Sequence, residues 1–182
     1  MDKVLIYDKS SGKFVEKNRS DVAPDDAIEF EPAQSAACSP KKTMADMNRV
    51  GVEQFHRQKK MQVAVVLDNV RSLNNIGSIF RTCDGFACSK LFLCGITATP
   101  PSPQIHKTAL GAEESMDWTY YPNTAEAVAT LKEEGYTLVC LEQCFGSVAL
   151  QDFVPENDRR YALIVGNEVE GVDPAIVAMC DI

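Results

Sequence analysis

The sequence has no apolar run near the roughly 18 to 20 residues that a membrane-spanning helix needs. Its first residues, MDKVLIYDKSSGK, also lack the apolar centre of a signal peptide. These two absences predict a soluble, cytoplasmic chain with no membrane partner. Among seven cysteines there is no Cys-x-x-Cys, and only His56 and His106 stand beside them. No metal site is therefore expected, and most thiols read as reduced core residues. Cys140 and Cys144, near a candidate ligand loop, are the two that read as redox-sensitive. No Gly-x-Gly-x-x-Gly follows the first strand of the main domain, and no Gly-Lys-Ser/Thr occurs anywhere. An ordinary dinucleotide-binding fold and a P-loop NTPase are both disfavoured.

What is present is a chain of 182 residues, 45% hydrophobic, enough for one moderate domain with an appendage. The apolar β-branched run Val63 to Leu67 predicts a buried strand at 62–67, and further strands are expected at 90–94, 118–121, 136–141 and 161–165. Helical spacing and caps predict helices at 76–86, about 104–110, from Asn123 to just before Gly135, and 173–180. Such alternation predicts an α/β fold, a mainly parallel sheet with helices on both faces. Ahead of it, residues 1–40 read as a short strand or hairpin (Lys3 to Tyr7, returning at Phe14 and Val15) followed by a linker holding Pro24, Pro32 and Pro40. Residues 41–60 read as a helical lead-in capped near Thr43, with Met44, Met47, Val50, Val52 and Phe55 on one face and Gly51 weakening its middle. Residues 61–182 form the main domain.

The net charge of −8 is unevenly spread. Residues 1–40 hold five basic and eight acidic side chains, residues 41–60 six and two, and residues 61–182 seven and sixteen. The basic charge sits in Lys41, Lys42, Arg49, Arg57, Lys59 and Lys60, and a phosphate backbone responds to local potential rather than to the total. Two readings stay open for this segment, an RNA contact or a solvated helix face. Arg71, in the loop before the next helix, joins Lys41, Lys42, Lys59 and Lys60 as a candidate RNA contact.

The stretch from Leu67 to Phe86, LDNVRSLNNIGSIFRTCDGF, is unusual for a strand-to-helix connection. Ile76, Ile79, Phe80, Cys83 and Ala87 define a buried stripe, which places the helix start near Ile76 with Asn75 as its cap. Arg81 then falls on a flank shared with Gly77 and Gly85, uncovered by anything bulky. A capping Asn, a small Gly and an Arg above them suit an anion or phosphodiester; a capped helix with a solvated arginine is the plainer alternative. Later, Tyr161 to Val165 runs into Gly166, Asn167, Glu168 and Gly171. Here Gly166 admits a close approach to the backbone, Asn167 offers two hydrogen-bonding edges, and Glu168 is the first carboxylate at the strand end. The alternative is a tight glycine turn capped by Asp173.

These two stretches, Leu67-Asp68-Asn69 with Asn75, Gly77, Arg81 and Thr82, and Tyr161 to Glu168 with Gly171, resemble in order and separation the first two motifs of the SpoU (TrmH-like) RNA 2′-O-ribose methyltransferases of the SPOUT class. The resemblance runs from about Lys41 to the last residue. It implies transfer of a methyl group from S-adenosylmethionine to a ribose 2′-hydroxyl of tRNA or rRNA, on a trefoil-knotted fold that is normally a homodimer. It assigns Asn75, Arg81 and Glu168 to catalysis, Arg81 anchoring phosphate and favouring the developing alkoxide, Asn75 orienting Arg81 or the ribose, and Glu168 fixing the loop and Arg81. It assigns the cofactor to the backbone around Leu141, Gly166 and Asn167. The family's third motif is not found before Ile182, so the resemblance implies an incomplete knot and a chain truncated at its C-terminus. A non-catalytic RNA-binding protein on the same scaffold is the competing expectation.

Overall fold

A computed structural model describes residues 3–8, 13–18, 20 and 50–182. The chain divides into two units, residues 1–49 and 50–182. In the first, β1 (Lys3–Asp8) pairs antiparallel with β2 (Lys13–Asn18), so the expected hairpin forms with a return strand longer than two residues. Lys41, Lys42 and Arg49 lie outside the described residues, as does most of the expected linker.

The second unit is built around β3 (Met61–Asp68), whose run of Val63 to Leu67 combines β-branched stiffness with an unbroken apolar surface. On one side it pairs with β4 (Cys88–Cys94) and then β5 (Trp118–Tyr121). On the other it pairs with β7 (Arg160–Val165) and then β6 (Tyr136–Cys140). All four pairings are parallel, in the order β5-β4-β3-β7-β6. The chain thus leaves β3 in one direction and comes back to it from the other, which puts a switch point between β3 and β7 where α/β sheets collect ligands.

Alternate residues of β3 face opposite cores, as a period of two requires. Val65 and Leu67 pack with Ile76, Phe80 and Cys83 of α2 (Leu73–Gly85) and with Ile105 and Ala109 of α3 (Pro103–Ala109). Ala64 and Val66 pack with Ala127, Val128 and Leu131 of α5 (Thr124–Glu133) and with Ile176 of α6 (Pro174–Val177). A one-turn helix, α4 (Ala112–Ser115), follows α3 and was not expected from the sequence.

Three local expectations change. Within the described part of the basic lead-in, a helix runs as α1 (Val52–Arg57) with Gly51 at its N-cap; Thr43, Met44 and Met47 lie outside the described residues. Of the expected apolar face, Phe55 is buried, whereas Val50 and Val52 are each 45% exposed. Helix α2 begins three residues before the expected start, because Ser72 rather than Asn75 is the cap; its Oγ accepts the Asn75 N–H at 3.3 Å. Gly77 is not on an open flank. A Cβ there would lie 2.1 Å from Thr108 Oγ1 and 2.3 Å from the Ile105 carbonyl oxygen, so this glycine is what lets α2 and α3 touch. Among the described residues no helix is long and apolar enough to cross a membrane.

Candidate functional site

The site forms where the carboxyl ends of β3 and β7 meet the start of α2. Glu168, just past β7, sends one carboxylate oxygen to the Arg71 N–H at 3.0 Å; the other accepts the Ser72 N–H at 3.0 Å and the Asn75 side-chain amide at 2.9 Å. A residue almost a hundred positions away thus satisfies the amides leading into α2, and its negative charge suits the positive end of the helix. Asn75, displaced from the cap to the first turn, uses its side chain for Glu168. Two of the three expected catalytic residues are therefore in direct contact.

Arg81 stands apart from them. It is exposed on α2, six residues beyond Asn75 or about 9 Å along the axis. It has no hydrogen-bond or ion-pair partner among the described residues, so the expectation that Glu168 fixes Arg81 is corrected: Glu168 holds Asn75 and the helix start instead. A recess of about 250 Å³ opens between Asn75, Ser78, Gly166 and Glu168, floored by Val70 and Val165.

Partial burial disfavours a charge on Glu168. The Arg71 and Ser72 N–H groups and the Asn75 amide outweigh that effect and hold its carboxyl below the ordinary value. A lowered folded value means that the clamp contributes stability above the ordinary carboxylate range, and loses it as acidification passes through the lowered value. Glu168→Gln is expected to cost about 1 kcal/mol at neutral pH, a modest figure because the clamp is exposed to solvent. Urea denaturation should show this difference at pH 7 and a smaller one at about pH 3.

The residues expected to hold a cofactor serve the protein's own loop as well. Asn167 is tied on both amide edges, donating to the Asn69 carbonyl at 2.9 Å and accepting the N–H groups of Val169 and Glu170. Its backbone pairs with Gly171 in both directions at 2.9 Å. Gly166 is needed for that return: a Cβ would fall 2.2 to 2.3 Å from backbone atoms of Gly171 and Val172. This glycine thus makes room for the return of its own loop while its backbone still borders the recess beside Asn75 and Glu168.

Leu141 differs from these two. It continues β6 with a hydrogen bond to the Ile164 carbonyl at 3.0 Å, yet its side chain is 61% exposed at the rim of an apolar cavity of about 480 Å³. Val139, Phe153, Tyr161 and Leu163 line the cavity with it. Cys140 beside it is a poor redox candidate. Burial, and then the neighbouring Cys180 and Cys144 thiols, push its pKa to about 12, leaving almost no thiolate.

Sequence reasoning missed Glu142, whose carboxylate accepts the Val172 N–H at 2.9 Å and the Gln143 N–H at 2.8 Å, joining the loop after β6 to the loop after β7. Gly171 makes room for it, since a Cβ there would fall 2.0 Å from Glu142 Oε2. A carboxylate directly after a strand was the available signal. Ser72 was also missed, although Ser is among the residues preferred at an N-cap. Of the candidate RNA contacts, Arg71 and Lys59 are exposed, while Lys60 lies with its ammonium 3.0 Å from the centroid of the Phe55 ring.

Comparison with known proteins bears on the fold and the family. The Streptomyces viridochromogenes SpoU methyltransferase AviRb, solved in complex with the cofactor AdoMet, superposes with a TM-score of 0.60 over 72% of this chain and 52% of its own, at 23% identity. At that identity the likeness establishes the fold. The tRNA (guanosine(18)-2′-O)-methyltransferase of Thermus thermophilus is 26% identical over 140 residues, covering 75% of this chain and 68% of that enzyme. An uncharacterized tRNA/rRNA methyltransferase of Synechocystis is 28% identical over 138 residues, 71% of this chain but only 33% of its own length. The SpoU rRNA Methylase family matches residues 62–182. With two thirds of its residues inside that match and the fold shared, the chain belongs to the SpoU RNA methylase family.

Proposed function

We propose that this chain carries the methyl-transfer site of an RNA 2′-O-ribose methyltransferase acting on tRNA or rRNA. The observation that supports this reading is the direct bond between Asn75 and Glu168 across the β3/β7 switch point, with the Arg81 guanidinium, unpaired among the described residues, on the same helix. The apolar cavity beside Leu141 has the size and lining that suit an adenosine. S-adenosylmethionine, when bound, supplies the methyl group already activated on a sulfonium.

The protein's task is then alignment and charge. Glu168 fixes Asn75, which presents its amide to the ribose in the neighbouring recess. Arg81, a fixed cation with a planar fork, binds the phosphate beside that ribose and stabilises negative charge developing on the 2′-oxygen. It does not act as a base, because guanidinium does not give up its proton in proteins. We place the active form as a cytoplasmic homodimer.

Radiolabelled S-adenosylmethionine incubated with bulk tRNA and rRNA, followed by nuclease digestion, tests the reading. Label in 2′-O-methylnucleosides is the expected result. Label only in bases overturns it, and RNA binding with no transfer favours the non-catalytic alternative. Neutralising Lys41, Lys42, Lys59 and Lys60 together should weaken RNA binding and flatten its dependence on salt, each lost phosphate contact reducing the slope by about 0.7 to 0.9. An unchanged slope in filter binding removes these lysines from the RNA surface.

A further inference from the structure

Asn69 follows β3 directly, with its backbone in the left-handed region at φ 55°. Its side chain is used on both edges: Nδ2 donates to Asp68 Oδ1 at 2.8 Å, and Oδ1 accepts the Ile96 N–H at 3.1 Å. Asp68 is buried and is held in turn by the Thr124 hydroxyl at 2.6 Å and the Asp173 N–H at 2.9 Å. Gly95 makes room for the arrangement, since a Cβ there would lie 2.1 Å from Asn69 Oδ1. With its side chain so fixed, Asn69 turns its carbonyl to the Asn167 amide at 2.9 Å. Asn167 and Gly171 close the loop on itself, and Glu168 projects from that loop onto Arg71, Ser72 and Asn75.

We propose that Asn69 is a positioning residue of the methyl-transfer site: through Asn167 it sets where Glu168, and therefore Asn75, stands relative to Arg81. This rests on the function proposed above. Asn69 lines a different recess from the one bounded by Asn75 and Glu168, so it acts through its neighbours and not on the substrate. A polar residue that holds a left-handed conformation by two side-chain bonds can be replaced by glycine without backbone strain, which separates the two contributions.

Asn69→Gly keeps the carbonyl but removes the side chain that anchors the residue to Asp68 and Ile96; Asn167→Ala removes the next link. In the full chain each is expected to lower kcat about tenfold while KM for RNA stays within about twofold, the signature of lost alignment. The Glu168 carboxyl, followed by NMR titration, should move up toward the ordinary glutamate value. Amide exchange at Arg71 and Ser72 should quicken about tenfold, with Leu91 and Leu93 in β4 unchanged. A titration and exchange pattern that stays put in both variants overturns the proposal, as does a shifted pattern with kcat unaffected. Should Asn69→Gly fail to fold, Asn167→Ala, which leaves Asp68 and its partners intact, decides by the same readings. No methyl transfer by the unsubstituted protein together with an unmoved titration overturns both inferences. No transfer with a shifted titration overturns the functional reading alone.

Discussion

Arg81→Ala is expected to reduce methyl transfer by about a hundred- to a thousandfold, the loss typical of removing one group that meets charge developing in a transition state. Cofactor affinity should stay within a few fold, because Arg81 lies on α2 and lines neither the recess beside Gly166 nor the apolar cavity beside Leu141. Stability should change by no more than about 0.5 kcal/mol, since an exposed side chain without partners has little to lose. Arg81→Lys should recover only part of the activity: the charge remains, but a single ammonium does not reproduce the bidentate fork. Label transfer, calorimetry with S-adenosylmethionine and urea denaturation together decide the matter. Unchanged turnover removes Arg81 from catalysis, and loss of folding removes the claim that its flank is free.

The strands were legible because each is a short run of apolar, β-branched or aromatic residues; β3, β5 and β7 lie within a residue or two of their expected bounds. Asn75, Arg81 and Glu168 were legible as a set only through the family resemblance. Their individual tasks were not legible, since a hydrogen bond between residues 93 positions apart has no local signature. The same limit explains Asn75, a plausible cap by residue type that is released from capping because Ser72 and the distant Glu168 both serve the helix start. Gly77 and Gly166 show how a glycine misleads in isolation. Each reads in the sequence as room for a ligand, and at each the Cβ position faces the protein's own atoms, those of α3 at Gly77 and of the returning loop at Gly166. In the described part of the lead-in, only Phe55 of the expected apolar face is buried: Val50 and Val52 have apolar spacing but nothing to bury against among the described residues.

The close packing at Gly166 leads to the second large effect. Gly166→Ala sets a methyl group against the Gly171 carbonyl carbon and oxygen and the Val172 nitrogen, all within 2.3 Å. These are main-chain atoms, which cannot swing aside as a flexible side chain does. The loop must open, breaking the paired Asn167 and Gly171 bonds, drawing Val172 from Glu142 and lifting Glu168 from the start of α2. Overpacking of this kind costs about 1 to 3 kcal/mol, and the lost bonds add to it. Because the loops after β6 and β7 are joined through Glu142, cofactor affinity and turnover should fall together, turnover by more than about a hundredfold given its sensitivity to a displacement near 1 Å. Gly85→Ala is the control: nothing lies within 4 Å of the added methyl, and the change should stay within about 0.5 kcal/mol. Urea denaturation and calorimetry on the two variants give the answer. If Gly166→Ala binds cofactor as well as Gly85→Ala does, the loop after β7 is not part of the cofactor site.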